Sequence, residues 1–182
     1  MIQAQFEREH TRSSMSREEF LKSLNLKVVG HVIKSPSDHG FERACELLNK
    51  TNQFNTTGRR WTPEEIGRFF AEGGVFYTFN VTDRFTAYGL VGLLMVQGNC
   101  IRQFVMSCRV VGLDVEQQML RSVIDRINTP EVTAEYVRTE KNHLCADLYP
   151  KNCFELRDGL WVYTKPEKKG LFKKFMTIQI NR

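Results

Sequence analysis

The five cysteines of this 182-residue chain, at 45, 100, 108, 145 and 153, form no C-x-x-C pair, and none has a histidine at ligand spacing. Neither a structural zinc site nor a disulfide framework is expected, and reduced thiols are. No apolar run approaches the roughly eighteen residues a membrane helix needs. The opening MIQAQFEREH is charged where a secretion signal is apolar, so the expected location is the cytoplasm, with no membrane partner. Internal repeats and low-complexity segments are absent as well. Charge excess is missing from most of the chain: residues 1–164 carry 20 basic and 20 acidic side chains, so the net charge of +5 arises wholly beyond them, mainly in KPEKKGLFKK. A nucleic-acid surface needs arginine and aromatic residues interleaved over a wider area, so no nucleic-acid partner is expected. What is present, 41% hydrophobic and 26% charged residues, suits one globular domain with a core of its own.

The organising stretch is Ile101 to Ile127, IRQFVMSCRVVGLDVEQQMLRSVIDRI. Ile101 to Cys108 reads as a strand buried on both faces. Val115, Met119, Val123, Ile124 and Ile127 fall on one stripe of a helix. Upstream, SREEFLKSL carries a capping box in Ser16 and Glu19, and Thr62-Pro63-Glu64-Glu65 starts a second helix. Strands are expected at Lys27 to Ile33, Val75 to Val81, Leu90 to Gln97 and Val132 to Thr139. A helix is expected from Asn142 to Tyr149, then a hairpin turning at Asp158-Gly159. The division is a linker helix at 1–24, a domain at 25–164, and a basic segment at 165–182 with room for a last strand. The fold class is α+β, with a mixed, mostly antiparallel sheet flanked by helices.

Between strand and helix lies RVVGLD. A loop entering a helix presents unpaired backbone N–H groups and the positive end of the helix dipole, which suits a pyrophosphate. Arg109 adds a fixed cation and Gly112 permits close approach. Any strand-to-helix turn also favours a glycine, with the arginine simply solvated. The loop resembles the R/Q-x-x-G-x-G/A motif of the GNAT acyltransferases, with Arg109, Gly112 and Asp114 at the marked places and Asp114 where a small residue is usual. A second signature of that family is similar to NHLCADLYPKNCF, with Asn142, Tyr149 and Phe154, and Cys153 in place of glycine. The resemblance implies a sheet that splays beside the central strand, with a pantetheine arm in the gap.

NKTNQFN with paired arginines, DRFTAYGLVG and FVMSCRVVG narrow the resemblance to the C-terminal half of FkbH-like proteins, which supply glyceryl units in polyketide assembly. Those proteins carry a haloacid-dehalogenase-like phosphatase domain first, whose D-x-D motif is not found here. The resemblance implies an acyltransferase moving a glyceryl-type acyl group to or from the phosphopantetheine thiol of an acyl carrier protein, with coenzyme A or phosphopantetheine as the cofactor and no metal. A separate phosphatase is a further expected partner. The ligand set it implies is Ser107, Cys108, Arg109, Val110, Val111, Gly112, Leu113 and Asp114, with Asn142 on the pantetheine amide or capping its helix.

The GNAT resemblance implies Tyr149 as the general acid for a departing thiolate; the alternative is a tyrosine packed beneath the sheet. Cys108 would accept an acyl group if its thiol is reachable and the cation and helix start favour its thiolate, and would be inert if strand alternation buries it. Asn52, Gln53, Phe54, Asn55, Arg59 and Asp83 combine polar and aromatic groups, as a hydroxylated acyl group requires, though amides in loops also satisfy their own backbone. The competing functions are a coenzyme A-dependent N-acetyltransferase, for which Asp83 is the available base, and a non-catalytic module that docks a carrier or a phosphatase.

Overall fold

The computed structural model describes residues 15–166 and 177–181. The expectations placed on residues 1–14 and on the lysine-rich stretch 167–176 lie outside the described residues. Helix α1 (Arg17–Ser23) opens with the expected capping box, Ser16 and Glu19 each accepting from the other's backbone N–H. Strand β1 (Lys27–Ile33) leads to α2 (Phe41–Lys50), and α3 (Pro63–Ala71) opens on the matching box of Thr62 and Glu65. Strands β2 (Gly74–Thr82), β3 (Ala87–Gln97) and β4 (Cys100–Met106) precede α4 (Val115–Ile124) and β5 (Glu131–Ala134). A short helix α5 (Leu148–Lys151) and strands β6 (Glu155–Arg157), β7 (Leu160–Thr164) and β8 (Thr177–Asn181) follow.

The eight strands form one sheet in the order β6-β7-β5-β4-β3-β2-β1-β8. Strands β1 to β4 pair antiparallel in chain order, and β5, β7 and β6 pair antiparallel beyond them. The β4–β5 and β1–β8 pairs are parallel. The fold is therefore α+β with a mixed sheet. Successive residues of a strand point to opposite faces, and Leu93 and Leu94 accordingly belong to different cores. One face packs α2 and α3 through Leu48, Ile66 and Phe69, together with Trp61 just before α3, against Phe76 and Leu93. The other packs α1, α4 and Tyr149 against Phe79, Leu94 and Phe104.

Three local expectations are corrected. Helix α1 is no mere linker, because Phe20, Leu21 and Leu24 are buried in the second core. The expected helix from Asn142 to Tyr149 is a 3₁₀ turn (His143–Cys145) followed by α5, which places Tyr149 inside a helix rather than at its end. Strand β5 stops at Ala134 instead of reaching Thr139. Its ladder with β4 holds only Cys100 opposite Thr133 and Ile101 opposite Ala134, after which the two strands part.

Candidate functional site

The chain leaves β4 through a 3₁₀ turn (Cys108–Val110) in which the Ser107 hydroxyl accepts from the Arg109 Nε at 3.1 Å. Gly112 follows at φ +85°, a left-handed conformation that spares the glycine the strain another residue would meet. Val110 and Leu113 point into the core, whereas Val111 is exposed. Asp114 precedes α4, where a carboxylate can cap a helix. It instead adopts φ +56°, makes no capping bond, and gives its carboxylate to Arg17 Nη2 at 2.7 Å. The same Arg17 group reaches the Gly112 carbonyl at 3.4 Å, so α1 is tied to the loop.

Beside this loop opens a cleft of about 460 Å³ between α2, residues 51–54 and the end of β4. It brings together Ser107, Cys108 and Arg109 with Asn52, Gln53 and Phe54, two groups that lie more than fifty positions apart in the sequence. Cys108 is exposed, so the alternation that would have buried it does not apply. The strand ends at Met106, and the turn that follows swings the thiol outward. Three cations border the cleft. Arg43 and Lys50 both bond Glu46, Lys50 at 2.6 Å, and together they hold that carboxyl below its ordinary range. Among the described residues no carboxylate pairs with Arg109, which leaves it as the cation available to an anion.

The opening between β4 and β5 is filled by the chain itself. Asn55 bridges Val105 in antiparallel fashion. Thr56 N–H donates to the Phe104 carbonyl and Met106 N–H to the Phe54 carbonyl, each at 3.0 Å. The Thr56 hydroxyl also accepts from Phe104 N–H at 3.0 Å, and on the far side Val137 N–H donates to the Thr56 carbonyl at 2.8 Å. This inserted segment is the reason β5 ends early. Asn55, expected to read an acyl group, is fully buried: its Oδ1 accepts from Gly58 N–H at 2.9 Å and Gln103 Nε2 at 2.7 Å, and its Nδ2 donates to the Thr51 carbonyl. Asn142 donates to the carbonyls of Asn55 and Val137, both at 2.9 Å, and accepts from Thr139 N–H. Its amide is thus spent on the protein, and it neither faces a ligand nor caps a helix.

The remaining candidates lie elsewhere. Tyr149 is 1% exposed and stacked near Phe154 and Trp161, and its hydroxyl has no hydrogen-bond partner. Burial drives its phenol far above the ordinary value; the Thr56 side chain opposes this only in part and falls short of hydrogen-bond geometry. Such a group is shut off from any sulfur in the cleft, which corrects the expectation of a general acid. Arg59 pairs with Glu65 at 2.8 Å and lies over Trp61, bordering a different and smaller hollow. Asp83 closes the β2–β3 turn, accepting from Phe85 N–H, Thr86 N–H and the Tyr88 hydroxyl.

Sequence reasoning missed Gln103. It is fully buried in β4, accepts from Trp61 Nε1 at 2.7 Å and donates to Asn55 Oδ1 and the Arg59 carbonyl. A lone amide within the apolar run of β4 was the available signal. Arg43 and Lys50 were missed too, since nothing local ties α2 to the loop after β4. Among the described residues no cluster of three or more His, Cys, Asp or Glu could hold a metal ion, and no helix is long and apolar enough to cross a membrane. Comparison with protein-family models, curated proteins and solved structures finds no match.

Proposed function

We propose that this chain is a GNAT-like acyltransferase of the FkbH-like kind, which transfers an acyl group to the phosphopantetheine thiol of an acyl carrier protein through Cys108. The fold reading is supported by the order of elements along the chain and by a parallel β4–β5 pair that parts after two residue pairs. The observation that carries the functional reading is the cleft, in which an exposed thiol stands beside the Asn52 and Gln53 amides and a guanidinium that no carboxylate among the described residues pairs. Arg109 would hold a phosphate of the pantetheine-bearing substrate, and the apolar floor of Phe54 and Met106 would lie under its arm.

In this scheme Cys108 gives up its proton and attacks the carbonyl carbon of an acyl thioester donor. The donor's C–S bond breaks, and its sulfur leaves with the electron pair and takes up that proton. The carrier thiol then loses its proton and attacks the Cys108 thioester; the new C–S bond forms as Cys108 leaves, and the proton returns to its sulfur. Exchange between two sulfurs is close to neutral in energy, so the protein's task is positioning. Incubation with an acyl thioester followed by mass spectrometry should give an adduct that is lost in Cys108→Ser. Full transfer activity in that variant would remove Cys108 from the mechanism.

The N-acetyltransferase reading is less well supported, because Asp83 is committed to its turn and Glu46 to two cations. A docking module without chemistry is favoured by one observation, the filled β4–β5 opening. Carrier binding with no adduct and no turnover would support it.

A further inference from the structure

We infer that the chain closes the β4–β5 opening permanently with its own segment Phe54–Thr56, and that a pantetheine arm is routed through the outer cleft instead. This rests on the proposed acyl transfer for the identity of the arm, but not for the closure.

An extended arm bearing two amides can lie along a strand only if that strand has carbonyl and N–H groups free to pair with it. On the open edge of β4 those groups are taken. Phe104 gives its carbonyl to Thr56 N–H and its N–H to the Thr56 hydroxyl, and Met106 gives its N–H to the Phe54 carbonyl. The opposite wall is taken as well, because Val137 N–H bonds the Thr56 carbonyl.

Nothing about the segment suggests a part that leaves. Asn55 and Thr56 are fully buried, and Asn55 is engaged through its side chain by Thr51, Gly58 and Gln103 and through its carbonyl by Asn142. Gln103 is in turn fixed by Trp61, and the Phe54 ring packs edge-on against Phe104 at 5.3 Å. Withdrawing the segment would leave the partners of Asn55, Gln103 and Asn142 unpaired together in a dry interior, where unmade bonds are costly. A ligand with only two amides cannot replace all of them.

The closure assigns new roles. Thr56, Asn55 and Gln103 are positioning residues that present Phe54 as the floor of the cleft, and Cys108 lies where an arm in that cleft can be met. Tyr149, beneath the inserted segment, is separated from any ligand sulfur.

Amide hydrogen exchange followed by NMR on the full chain, with and without saturating coenzyme A as the probe, tests this. Without ligand, Thr56, Phe104, Met106 and Val137 should exchange as slowly as the amides of β3. With coenzyme A their protection should change less than twofold, while the resonances of Gln53, Cys108 and Arg109 shift. Exchange a hundredfold faster than β3 in the free protein, or a tenfold loss of protection at Thr56 and Val137 when ligand is added, would overturn the closure. If coenzyme A shifted no resonance, the acyl-transfer reading and the routing would fall, while exchange in the free protein would still decide whether the opening is closed.

Discussion

Replacing Asn142 by alanine removes the donor to the buried carbonyl of Asn55 and to the carbonyl of the exposed Val137. The orphaned Asn55 carbonyl costs on the order of 1–3 kcal/mol, so urea denaturation should show a loss of about 2 kcal/mol. Tyr149→Phe should behave in the opposite way. The hydroxyl it deletes is buried and unpaired, so stability should stay within about 1 kcal/mol of the parent or rise, and the proposed transfer should be unaffected. A large drop in turnover with intact folding would restore the phenol to the chemistry. Glu116 offers a test by pH. Burial raises its carboxyl above the ordinary value, the nearby Asp114 adds to this, and one of its oxygens has no partner. The folded state therefore holds that proton more tightly than the unfolded state, and stability falls as pH rises from the ordinary carboxylate range through the raised value. Glu116→Gln should accordingly stabilise the protein at neutral pH, and the gain should vanish in acid, below the ordinary carboxylate value.

Local signals in the sequence predicted local structure well. Ser16 with Glu19, and Thr62 with Pro63 and Glu65, specify helix starts within four residues, and both are found where expected. Strand β1 keeps its expected bounds for the same reason, lying between a turn at Asn25 and the SPSDHG stretch. The errors lie where distant segments compete for one edge. Residues 135–139 have the composition of a strand, but the edge of β4 they would have continued along was already held by Phe54–Thr56, fifty positions away along the chain. No periodicity within either segment reports that. The same holds for the site: RVVGLD and NQFN were each visible as motifs, but only the fold shows that Asn52 and Gln53 face the cleft while Asn55 faces the core. At the far edge of the sheet, Gly30 of β1 makes room for Ile180 of β8. A Cβ there would sit 2.6 Å from Ile180 Cγ1 and 3.1 Å from the Phe79 ring. Gly30→Val should push β8 away at a cost of about 1–3 kcal/mol in chemical denaturation, accompanied by faster exchange of the β8 amides.

For the whole molecule, charge is separated along the chain, neutral through residue 164 and basic after it. If the partner is an acidic carrier, converting Lys168, Lys169, Lys173 and Lys174 to glutamine should slow association about tenfold at low salt. The difference should vanish near 1 M salt, where charges are screened beyond about 3 Å. Equal rates at low salt would make the segment a solubility device only. The parallel pairing of β8 with β1 carries a different consequence, one of timing. Lys27 meets Thr177, 150 positions further along the chain, so the outer edge of β1 can find its partner only after all of that chain has been synthesised. Until then a nascent chain on the ribosome displays an open strand edge beside a nearly finished sheet. Such an edge is a template for pairing with a neighbouring nascent chain, so translation speed and chaperone supply, rather than final stability, would govern how much of the protein reaches its folded state.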